Sequence, residues 1–319
     1  MRIAVIGLGV QGRKRQAVAG DRVTVTVDPV APGAAYRTIQ EAPLDAFDAA
    51  CVCVPDGEKL PILRHLLARR KHVLVEKPLL ASTSELHELI GLSKSNRAAC
   101  YTAYNHRFEP HIARLKSVLE GGGLGPLYLA RFFYGNGTAR DVRNSPWRDR
   151  GLGVVSDLGS HLLDMTLFLF GARETPGEVW SADRFENRAP DHVLLGYRGK
   201  PVLEMEATLI SWRNAFSLDV YGESGSAHID CLCKWGPSTW TMRQRVLPSG
   251  RPKETVETLE QPDPTWVLEW DHFLELCRSG GNNLDNDLWI AEKIRELAGQ
   301  SCLATVENGK TWIETANER

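Results

Sequence analysis

Two side chains in this sequence have the surroundings of acid/base groups, and the first is Lys77. It follows the apolar run Val73–Val75 and Glu76, and Pro78 comes directly after it. The run predicts a buried parallel strand, and open α/β sheets bind ligands at the carboxyl ends of such strands. Beside a positively charged ligand the charged form of a lysine is disfavoured, which favours proton transfer. The alternative is a surface lysine that simply follows a strand.

The second is His161, which lies four residues after Asp157 in the run GLGVVSDLGSHLLDM. On a helix this spacing places both on one face, where the carboxylate can orient the imidazole and stabilise its protonated form. His161 can then accept a hydroxyl proton while a hydride leaves the same carbon. Alternatively, Asp157 only stabilises the helix N-terminus, and His161 with Asp164 forms a structural pair or half of a metal site. A metal needs further ligands, and the local sequence has no HxH or HExxH pattern, so we predict no metal.

A glycine-rich turn with the pattern GxGxxG stands near the N-terminus. It follows a short apolar strand and opens a helix, which is the setting of a dinucleotide-binding loop, although GxGxxG alone also occurs in ordinary loops. The first glycine permits a tight turn, the second lets the backbone approach a pyrophosphate, and the third allows close helix packing. The helix N-terminus offers its unpaired amides to the phosphates. The predicted cofactor contacts are Gly7, Gly9, Val10, Gln11 and Gly12.

Asp28 lies 21 residues after Gly7, at the end of the second predicted strand. A carboxylate at this place can accept the ribose hydroxyls of NAD but would repel the 2′-phosphate of NADP, so it favours NAD. The cluster Arg13, Lys14 and Arg15 can pair with an extra phosphate, which leaves NADP possible. The alternative for this cluster is an exposed, solvated helix face.

The elements that must position these residues alternate between short apolar strands and amphipathic helices over the first hundred residues. We predict strands at 2–6, 22–27, 49–54, 72–75 and 98–103, a helix from about 11, and helices at 59–70 and 82–95. Ser82 and Glu85 have the spacing of a capping box. This alternation predicts a doubly wound parallel sheet, an α/β Rossmann domain over residues 1–104.

The pattern changes after residue 105. Helices are predicted at 110–120, 157–170, 265–279 and 284–304, and extended runs at 127–134, 193–197, 202–209, 217–221 and 227–231. Turn residues without helices join most of the extended runs, which is typical of antiparallel sheets. Residues 105–319 are therefore predicted to form an α+β domain with a large, mainly antiparallel open sheet.

Composition excludes several classes of protein. The 319 residues include 38 basic and 40 acidic residues, so there is no strongly basic footprint for nucleic acid. No apolar run reaches the ~18 residues of a membrane span, and the N-terminus lacks a signal peptide's features, so we expect a cytosolic protein without membrane contacts. The seven cysteines include two CxC pairs, which suit packing rather than the CxxC spacing of redox or zinc sites.

These motifs together resemble one family. GxGxxG, Asp28, EKP at 76–78, YNHRF at 104–108, WR at 147–148 and DLGSHLLD from 157 occur in the order seen in the glucose-fructose oxidoreductase, inositol dehydrogenase and MocA-like family. The resemblance covers essentially the whole chain. It implies a Rossmann domain, a C-terminal domain for substrate binding and oligomerisation whose open sheet forms subunit contacts, and hence a homodimer or homotetramer. It also implies a sugar, polyol, cyclitol or nucleotide-sugar substrate that is oxidised or reduced at a secondary carbon.

The resemblance also implies roles for single residues. Lys77 would hydrogen-bond the reacting oxygen and relay its proton, His161 would be the principal acid/base, and Asp157 would position substrate and His161. The implied cofactor contacts include Pro55, Glu76, Lys77, Asn105, Trp147 and Arg148, and the implied substrate contacts are Lys77, Asn105, Arg107, Arg148, Asp157 and His161. Many relatives carry a histidine shortly after the proline that follows the third strand, whereas here Pro55 is followed by Asp56, Gly57, Glu58 and Lys59.

Between residues 131 and 150 the chain is rich in arginine and aromatic residues. Arginine forks suit phosphate or carboxylate, and aromatic faces suit sugars or bases, so an anionic sugar is one hypothesis and a solvated loop with salt bridges is the other. The residues are Arg131, Arg140, Arg143, Arg148 and Arg150, with Tyr134, Asn136 and Trp147 between them.

Three function classes follow. The first is an NAD(P)-dependent dehydrogenase or ketoreductase acting on CH–OH groups. The second is other redox-linked chemistry in the same family, such as glycosidic cleavage, deoxysugar formation or imine reduction. The third is a noncatalytic cofactor-binding regulator. Retention of both Lys77 and His161 favours the first.

Overall fold

A computed structural model of the chain describes residues 1–145, 148–300, 303, 306–307 and 310–311. The chain divides into two compact units. The first unit comprises Met1–Asn105 together with Thr265–Ala291, and the second comprises His106–Pro264 together with the described residues from Glu292 onwards.

The helices and strands have the following bounds. The helices are α1 (Val10–Ala19), α2 (Asp56–Leu67), α3 (Thr83–Asn96), α4 (Pro110–Glu120), α5 (Ala139–Arg143), α6 (Ser160–Phe170), α7 (Thr265–Ser279) and α8 (Leu284–Ala298). The strands are β1 (Ile3–Ile6), β2 (Val23–Val27), β3 (Ala49–Val52), β4 (His72–Glu76), β5 (Cys100–Ala103), β6 (Leu127–Gly135), β7 (Gly177–Asp183), β8 (His192–Tyr197), β9 (Val202–Thr208), β10 (Ala215–Gly222), β11 (Gly225–Asp230), β12 (Ser238–Gln244), β13 (Lys253–Leu259), β14 (Val306–Glu307) and β15 (Lys310–Thr311).

The first unit is built on a parallel sheet with the strand order β2-β1-β3-β4-β5. Its central strands are buried on both faces, which explains their continuous apolar runs. An isolated parallel bridge between Val27 and Tyr36 adds one more position beyond β2. With that bridge counted, the order corresponds to that of a dinucleotide-binding sheet, and the strand order reverses beside β1. The predicted Rossmann class is confirmed.

Helices cover both faces of this parallel sheet. Ile3 and Val5 pack in one apolar cluster with Trp270 and Phe273 of α7. The opposite cluster joins the sheet to α2 and α3 and includes Leu284 at the start of α8. Ser82 and Glu85 form both hydrogen bonds of the predicted capping box at the start of α3.

The predicted division into 1–104 and 105–319 therefore differs from the structure at residues 265–291. This segment returns to the first unit, although the second unit separates the two in sequence. The physical reason is that a parallel sheet must bury both faces, and Trp270, Phe273 and Leu284 supply apolar surface for doing so.

The second unit contains an eight-stranded sheet in the order β13-β12-β11-β10-β6-β9-β8-β7. Neighbouring strands are antiparallel except for the parallel pair β6 and β9, as the predicted α+β class requires. Along β10, Phe216, Leu218 and Val220 are buried while the residues between them are only partly so. Helices α4 and α6 pack together, and α4 also contacts β11 and β12. The subunit contacts predicted for the open face of this sheet stay a prediction.

Several elements differ from those predicted. Strands β7, β12 and β13 and the short helix α5 were not predicted, and the helix predicted over 157–170 begins with a π-helical turn at Val155–Gly159. Helix α8 ends at Ala298, and part of its predicted extension to 304 lies outside the described residues. No helix in the described ranges is long and apolar enough to cross a membrane.

Candidate active site

The glycine turn after β1 has two glycines that the fold requires and one that faces open space. Gly7 has φ of +87°, and a Cβ there would lie 2.3 Å from the carbonyl oxygen of Cys53. A Cβ on Gly12 would lie 1.8 Å from the carbonyl oxygen of Gly7. By contrast, a Cβ on Gly9 would meet nothing within 4 Å. The turn thus leaves room at Gly9 for a ligand to approach the backbone, the role predicted for the second glycine.

The N-terminus of α1 follows this turn. Gly9 is the N-cap, and the amide of Arg13 donates to its carbonyl oxygen at 3.0 Å. The amides of Val10, Gln11 and Gly12 precede this hydrogen bond in the first turn, which carries no acidic side chain. A helix N-terminus of this kind favours a pyrophosphate group by its amides and its dipole. The residues present therefore fit a dinucleotide.

Asp28 is buried beside the glycine turn. Its Oδ2 accepts a hydrogen bond from the amide of Leu8 at 2.7 Å, and Oδ1 accepts from the amides of Val30 and Ala31 at 2.9 Å and 2.7 Å. These hydrogen bonds, that of Leu8 above all, lower the pKa of Asp28, so the group is a carboxylate at neutral pH. Such an oxygen accepts two hydrogen bonds, so Oδ2 keeps one position for a ribose hydroxyl beyond the contact with Leu8.

Arg15, the last residue of the basic cluster on α1, neither faces solvent nor is placed to bind an extra phosphate. This residue is buried, and its guanidinium lies 2.7 Å from Glu76 and 2.8 Å from Glu269 of α7. It also lies 4.3 Å from the ring centroid of Trp266. The two carboxylates raise the pKa of Arg15 despite the opposing effect of burial. Arg15 is therefore a structural residue that fixes the carboxylate of Glu76, rather than a phosphate ligand or part of a solvated face.

The predicted cofactor residues of the first unit lie at the carboxyl ends of neighbouring strands. Pro55 follows β3, Glu76 ends β4 with Lys77 directly after it, and Asn105 follows β5. The Nδ2 of Asn105 donates to the Oγ1 of Thr265 at 2.8 Å. Because β1, β3, β4 and β5 are parallel neighbours, this placement puts the residues along the same edge of the sheet as the glycine turn.

In the second unit, His161 lies in the first turn of α6 and is 7% exposed. Its ring stacks on that of His106, with 4.1 Å between centroids and 26° between planes. The ring of Tyr134 lies 5.8 Å from His161, and burial raises the pKa of Tyr134, so this phenol stays neutral. The acid/base candidate is thus held among rings, with its position set by packing.

Asp157 lies in the π-helical turn that precedes α6. Its carboxylate lies 3.5 Å from the guanidinium of Arg148, and both groups are partly exposed. The predicted one-face argument assumed α-helical geometry at Asp157, whereas a π turn widens the helix here. The orientation of His161 by Asp157 stays a prediction. Pro146 and Trp147, the latter a predicted cofactor contact, lie outside the described residues.

Arg107 was predicted to contact substrate, which stays a prediction, and in the structure its guanidinium has a structural partner. Its guanidinium binds the buried Asp164 of α6 in a bidentate pair, with Nη2 to Oδ1 at 2.6 Å and Nε to Oδ2 at 2.9 Å. Burial raises the pKa of Asp164, and the positive charge of Arg107 opposes that shift. The pair ties the turn that carries His106 to the helix that carries His161. Both carboxylate oxygens of Asp164 are therefore engaged by Arg107.

The arginines between residues 131 and 150 do not share one surface. Arg131 pairs with Glu204 on the neighbouring strand at 2.6 Å, and strand alternation points it away from the face that carries Tyr134. Arg140, Arg143 and Arg150 are exposed. Only Arg148 is joined to a predicted site residue by an ion pair within the described ranges. There too, no three His, Cys, Asp or Glu residues are grouped so that they could hold a metal ion.

Comparison with known proteins adds the family. The model of the oxidoreductase family with an NAD-binding Rossmann fold matches residues 23–104, and the GFO/IDH/MocA C-terminal domain matches residues 112–228. Inositol 2-dehydrogenase from Mycolicibacterium gilvum is 30% identical over 98% of this chain and 92% of that enzyme. The chain belongs to the GFO/IDH/MocA oxidoreductase family. The predicted family, its oxidoreductase class and its NAD-binding domain are confirmed.

Other members of the GFO/IDH/MocA family match over a smaller part or at lower identity. An uncharacterized oxidoreductase of Schizosaccharomyces pombe is 30% identical over 49% of this chain, and the match spans 42% of that protein's length. The structure of levoglucosan dehydrogenase in complex with NADH has a TM-score of 0.77 at 18% identity, covering 93% of this chain and 98% of that chain. At this identity the likeness shows the fold alone.

Lys59 of α2 lies outside the family's motifs but contacts the segment that follows Lys77. Lys59 is buried, and its Nζ lies 2.7 Å from the Oδ1 of Asp56 and 2.7 Å from the carbonyl oxygen of Pro78. It therefore holds the turn directly after Lys77. Asp56 and Lys59 belong to the segment in which the sequence departs from many relatives. A signal was present, because Lys59 lies four residues before Leu63, on the apolar face of the helix.

A second residue outside the motifs, Lys234, contacts the ring that stacks on His161. Lys234 lies in the short turn Cys233–Trp235, and its Nζ is 2.8 Å from the Nε2 of His106. His106 belongs to the quoted YNHRF motif, but no role was predicted for it. The only signal for Lys234 is a charged residue within the otherwise apolar run CLCKW. Its partner lies 128 residues away in sequence, so no local pattern could reveal the contact.

Proposed function

We propose that this protein is an NAD(P)-dependent oxidoreductase that transfers a hydride between nicotinamide and a secondary alcohol or ketone carbon of a sugar, cyclitol or nucleotide sugar. The observation that carries the proposal is His161, a buried and stacked imidazole in the DLGSH helix. The same chain presents an open glycine turn beside an ionised Asp28. A dinucleotide loop with a fixed acid/base group suits hydride transfer coupled to proton transfer.

Oxidation of the alcohol removes a hydride from the carbinol carbon and a proton from the hydroxyl group. When bound, NAD supplies the acceptor for the hydride from the carbinol carbon. His161 accepts the hydroxyl proton, so that the C–O single bond becomes the carbonyl double bond. By similarity to the family, Lys77 hydrogen-bonds the reacting oxygen and Asp157 positions substrate and His161. Ketone reduction runs through the same steps in reverse.

Asp28 supports NAD as the preferred cofactor. Its carboxylate is held ionised by the amides of Leu8, Val30 and Ala31. A negative charge at this place attracts the ribose hydroxyls and repels a 2′-phosphate. We therefore expect tighter binding of NADH than of NADPH.

The substrate class is supported by similarity. The relative that matches over nearly the whole chain is named inositol 2-dehydrogenase, and levoglucosan dehydrogenase shares the fold. The dispersed arginines weaken the hypothesis of an anionic sugar, since Arg131 pairs with Glu204 on another face. We therefore place neutral polyols and cyclitols before sugar phosphates and nucleotide sugars.

The test combines a substrate screen with one variant. Polyols, cyclitols, sugar phosphates and nucleotide sugars are offered with NAD and with NADP, and NADH or NADPH formation is followed by absorbance. In Lys77→Ala we expect turnover to fall by about 10²- to 10⁴-fold, the range for a lost proton-transfer group, while NADH affinity changes little. The matched control is Lys94→Ala, because Lys94 is an exposed lysine of the same unit.

Each of three results would contradict one part of the proposal. Near-normal turnover in Lys77→Ala would remove Lys77 from the mechanism. NADH binding without turnover of any tested compound would favour the noncatalytic regulator instead. Clear preference for a nucleotide-linked sugar over the free sugar would restore the anionic-substrate hypothesis.

A further inference from the structure

Lys234 places a positive charge one ring away from His161. Its ammonium lies 2.8 Å from the Nε2 of His106, 4.4 Å from the ring centroid of Trp235 and 5.8 Å from that of Tyr134. The ring of His106 in turn stacks on His161 at 4.1 Å. Lysine, histidine and histidine thus form a continuous row, in which His106 is 1% exposed.

The two turns that carry Lys234 and His106 are held together by a second, independent contact. Glu109 follows the His106 turn and is buried, and its carboxylate receives hydrogen bonds from the amide of Cys233 at 3.4 Å and from its thiol at 2.8 Å. The amide of Glu109 donates to the carbonyl oxygen of His106. Burial raises the pKa of Glu109. The position of Lys234 against His106 is therefore fixed by the backbone of both turns.

The chemistry of the row follows from its donors. An ammonium group has three donors and no acceptor, so Lys234 donates and the Nε2 of His106 accepts. His106 then carries its proton on Nδ1 and is neutral. A proton on His161 would place a second positive charge near that of Lys234, with only the ring of His106 between them. The burial of His161 also disfavours its charged form.

We propose that Lys234 is a positioning residue that acts through His106 to keep His161 unprotonated, ready to accept the proton of the substrate hydroxyl. The inference rests on the proposed function, because it assigns a control over the base of that reaction. It concerns an element outside the motifs that identify the family. Lys234 contacts His106 and would act on His161 through that ring, so the role assigned to it is that of a positioning residue.

The other charged groups on neighbouring elements have partners of their own or lie near the turn Cys233–Trp235. Asp157 pairs with Arg148 in the turn before α6, and Asp164 pairs with Arg107 on α6 itself. Tyr134 is neutral because burial raises its pKa. Glu109 and Asp263 are the acidic groups near the Lys234 turn, where their charge affects Cys233. Lys234 is therefore the charge whose removal should change protonation of His161 most directly.

The experiment separates the charge of Lys234 from its hydrogen bond. Lys234→Met removes both, Lys234→Gln keeps a donor without the charge, and Lys234→Arg keeps both. Lys116→Met is the matched control, because Lys116 also lies over an aromatic ring, that of Phe168 at 5.5 Å, but its ion pair is with Glu120 of its own helix α4 rather than with a histidine. Folding of each variant is checked by circular dichroism and thermal unfolding.

The first readout is the pH profile of kcat/KM for whichever substrate the screen identifies. Without the positive charge His161 binds a proton more readily. As the pH is lowered, the variant should therefore lose activity at a higher pH than the unmodified protein does. We expect the acidic limb to move up by roughly one pH unit in Lys234→Gln and Lys234→Met, the lower end of the effect of a neighbouring charge. The limb should stay in place in Lys234→Arg and in Lys116→Met. An unmoved limb in a folded Lys234→Gln variant would overturn the proposal.

The second readout needs neither substrate nor cofactor. The ring signals of His161 are assigned by comparison with His161→Gln and titrated by NMR in the full-length protein. The midpoint should move up in Lys234→Gln by the same amount as the kinetic limb and stay unchanged in Lys234→Arg. If no compound is turned over, the proposed function fails while this titration still decides the role of Lys234. A midpoint that is equal in Lys234→Gln and the unmodified protein sinks the proposal.

Discussion

At the scale of single residues, Asp28 shows how one carboxylate serves both fold and ligand. The amides of Leu8, Val30 and Ala31 donate to it, which ties the glycine turn to the segment after β2. These hydrogen bonds stabilise the charged form, which is why the pKa of Asp28 is lowered in the folded protein. The group therefore contributes stability at neutral pH and loses that contribution as the pH falls through the lowered pKa.

We predict that Asp28→Asn lowers the free energy of unfolding by about 1–3 kcal/mol at neutral pH, the usual cost of leaving buried polar groups poorly paired. The difference from the unmodified protein should shrink below about pH 4, where the unfolded chain's aspartate begins to protonate. Urea unfolding from pH 7 downward measures this, and NADH titration should show weaker binding. Asp21→Asn, at an exposed aspartate of the same unit, serves as control. A stability difference that stays constant with pH would argue against this account.

Residue identities along the chain predict which groups can do chemistry, but not which of them are already engaged. GxGxxG, Asp28 and the DLGSH run are local patterns; the structure places the first two where they were predicted, whereas the DLGSH run is divided between a π-helical turn and α6. Arg15 and Arg107 have partners 61 and 57 residues away in sequence, Glu76 and Asp164, so no local spacing reveals them. Arg15 and Arg107 are therefore already engaged in ion pairs that their local sequence does not announce. Lys234 was missed for the same reason, whereas Lys59 had a local signal on the apolar face of α2 that was not used.

At the scale of elements, the turn between β1 and α1 separates the requirements of folding from those of binding. Gly12 packs against the carbonyl oxygen of Gly7, with no room for a methyl group. Gly9 faces open space at the N-cap of the helix. Three glycines in one motif therefore have different reasons to be glycine.

We predict that Gly12→Ala destabilises the protein by about 1–3 kcal/mol or more, because the methyl group forces the turn apart. Gly9→Ala should change stability by no more than about 1 kcal/mol, the scale of an N-cap substitution. It should nevertheless weaken NADH binding about tenfold or more, since its methyl group occupies the space through which a pyrophosphate approaches the backbone. Thermal unfolding and fluorescence titration with NADH measure the two effects. Unchanged NADH affinity in Gly9→Ala would mean that this turn does not receive the cofactor.

Elements with a clear apolar period were predicted well, and those without one were missed. The strand β13 is exposed at nearly every position and carries charged residues, so no alternation marks it. The π turn before α6 arises from the local backbone at Val155–Gly159, although the sequence reads as an ordinary helix there. Gly153 has φ of +48° beside the carbonyl oxygen of Pro190, a contact that no helical pattern anticipates. The site thus deviates from regular structure where it carries Asp157.

At the scale of the whole chain, elements that are distant in sequence pack in the same unit. The helical residues that complete the first unit are 265–291. Along the chain they come after all eight strands of the second unit's large sheet. Helix periodicity predicted α7 with its observed bounds, but periodicity shows only that a helix has an apolar face, not which sheet that face covers. The first unit ends at Asn105 and resumes at Thr265, whereas the sequence predicted a single boundary after residue 104.

This arrangement predicts which pieces of the chain fold alone. Residues 1–105 lack α7 and the start of α8, so Ile3, Val5 and their neighbours would face water, and we expect no cooperative unfolding and no NADH binding. Joining residue 105 to 265–291 through a short flexible linker should restore both, because the side chains of Asn105 and Thr265 already meet at 2.8 Å. Urea unfolding and NADH titration of the two polypeptides test this. Cooperative unfolding and NADH binding by residues 1–105 alone would show that α7 is dispensable for the cofactor-binding unit.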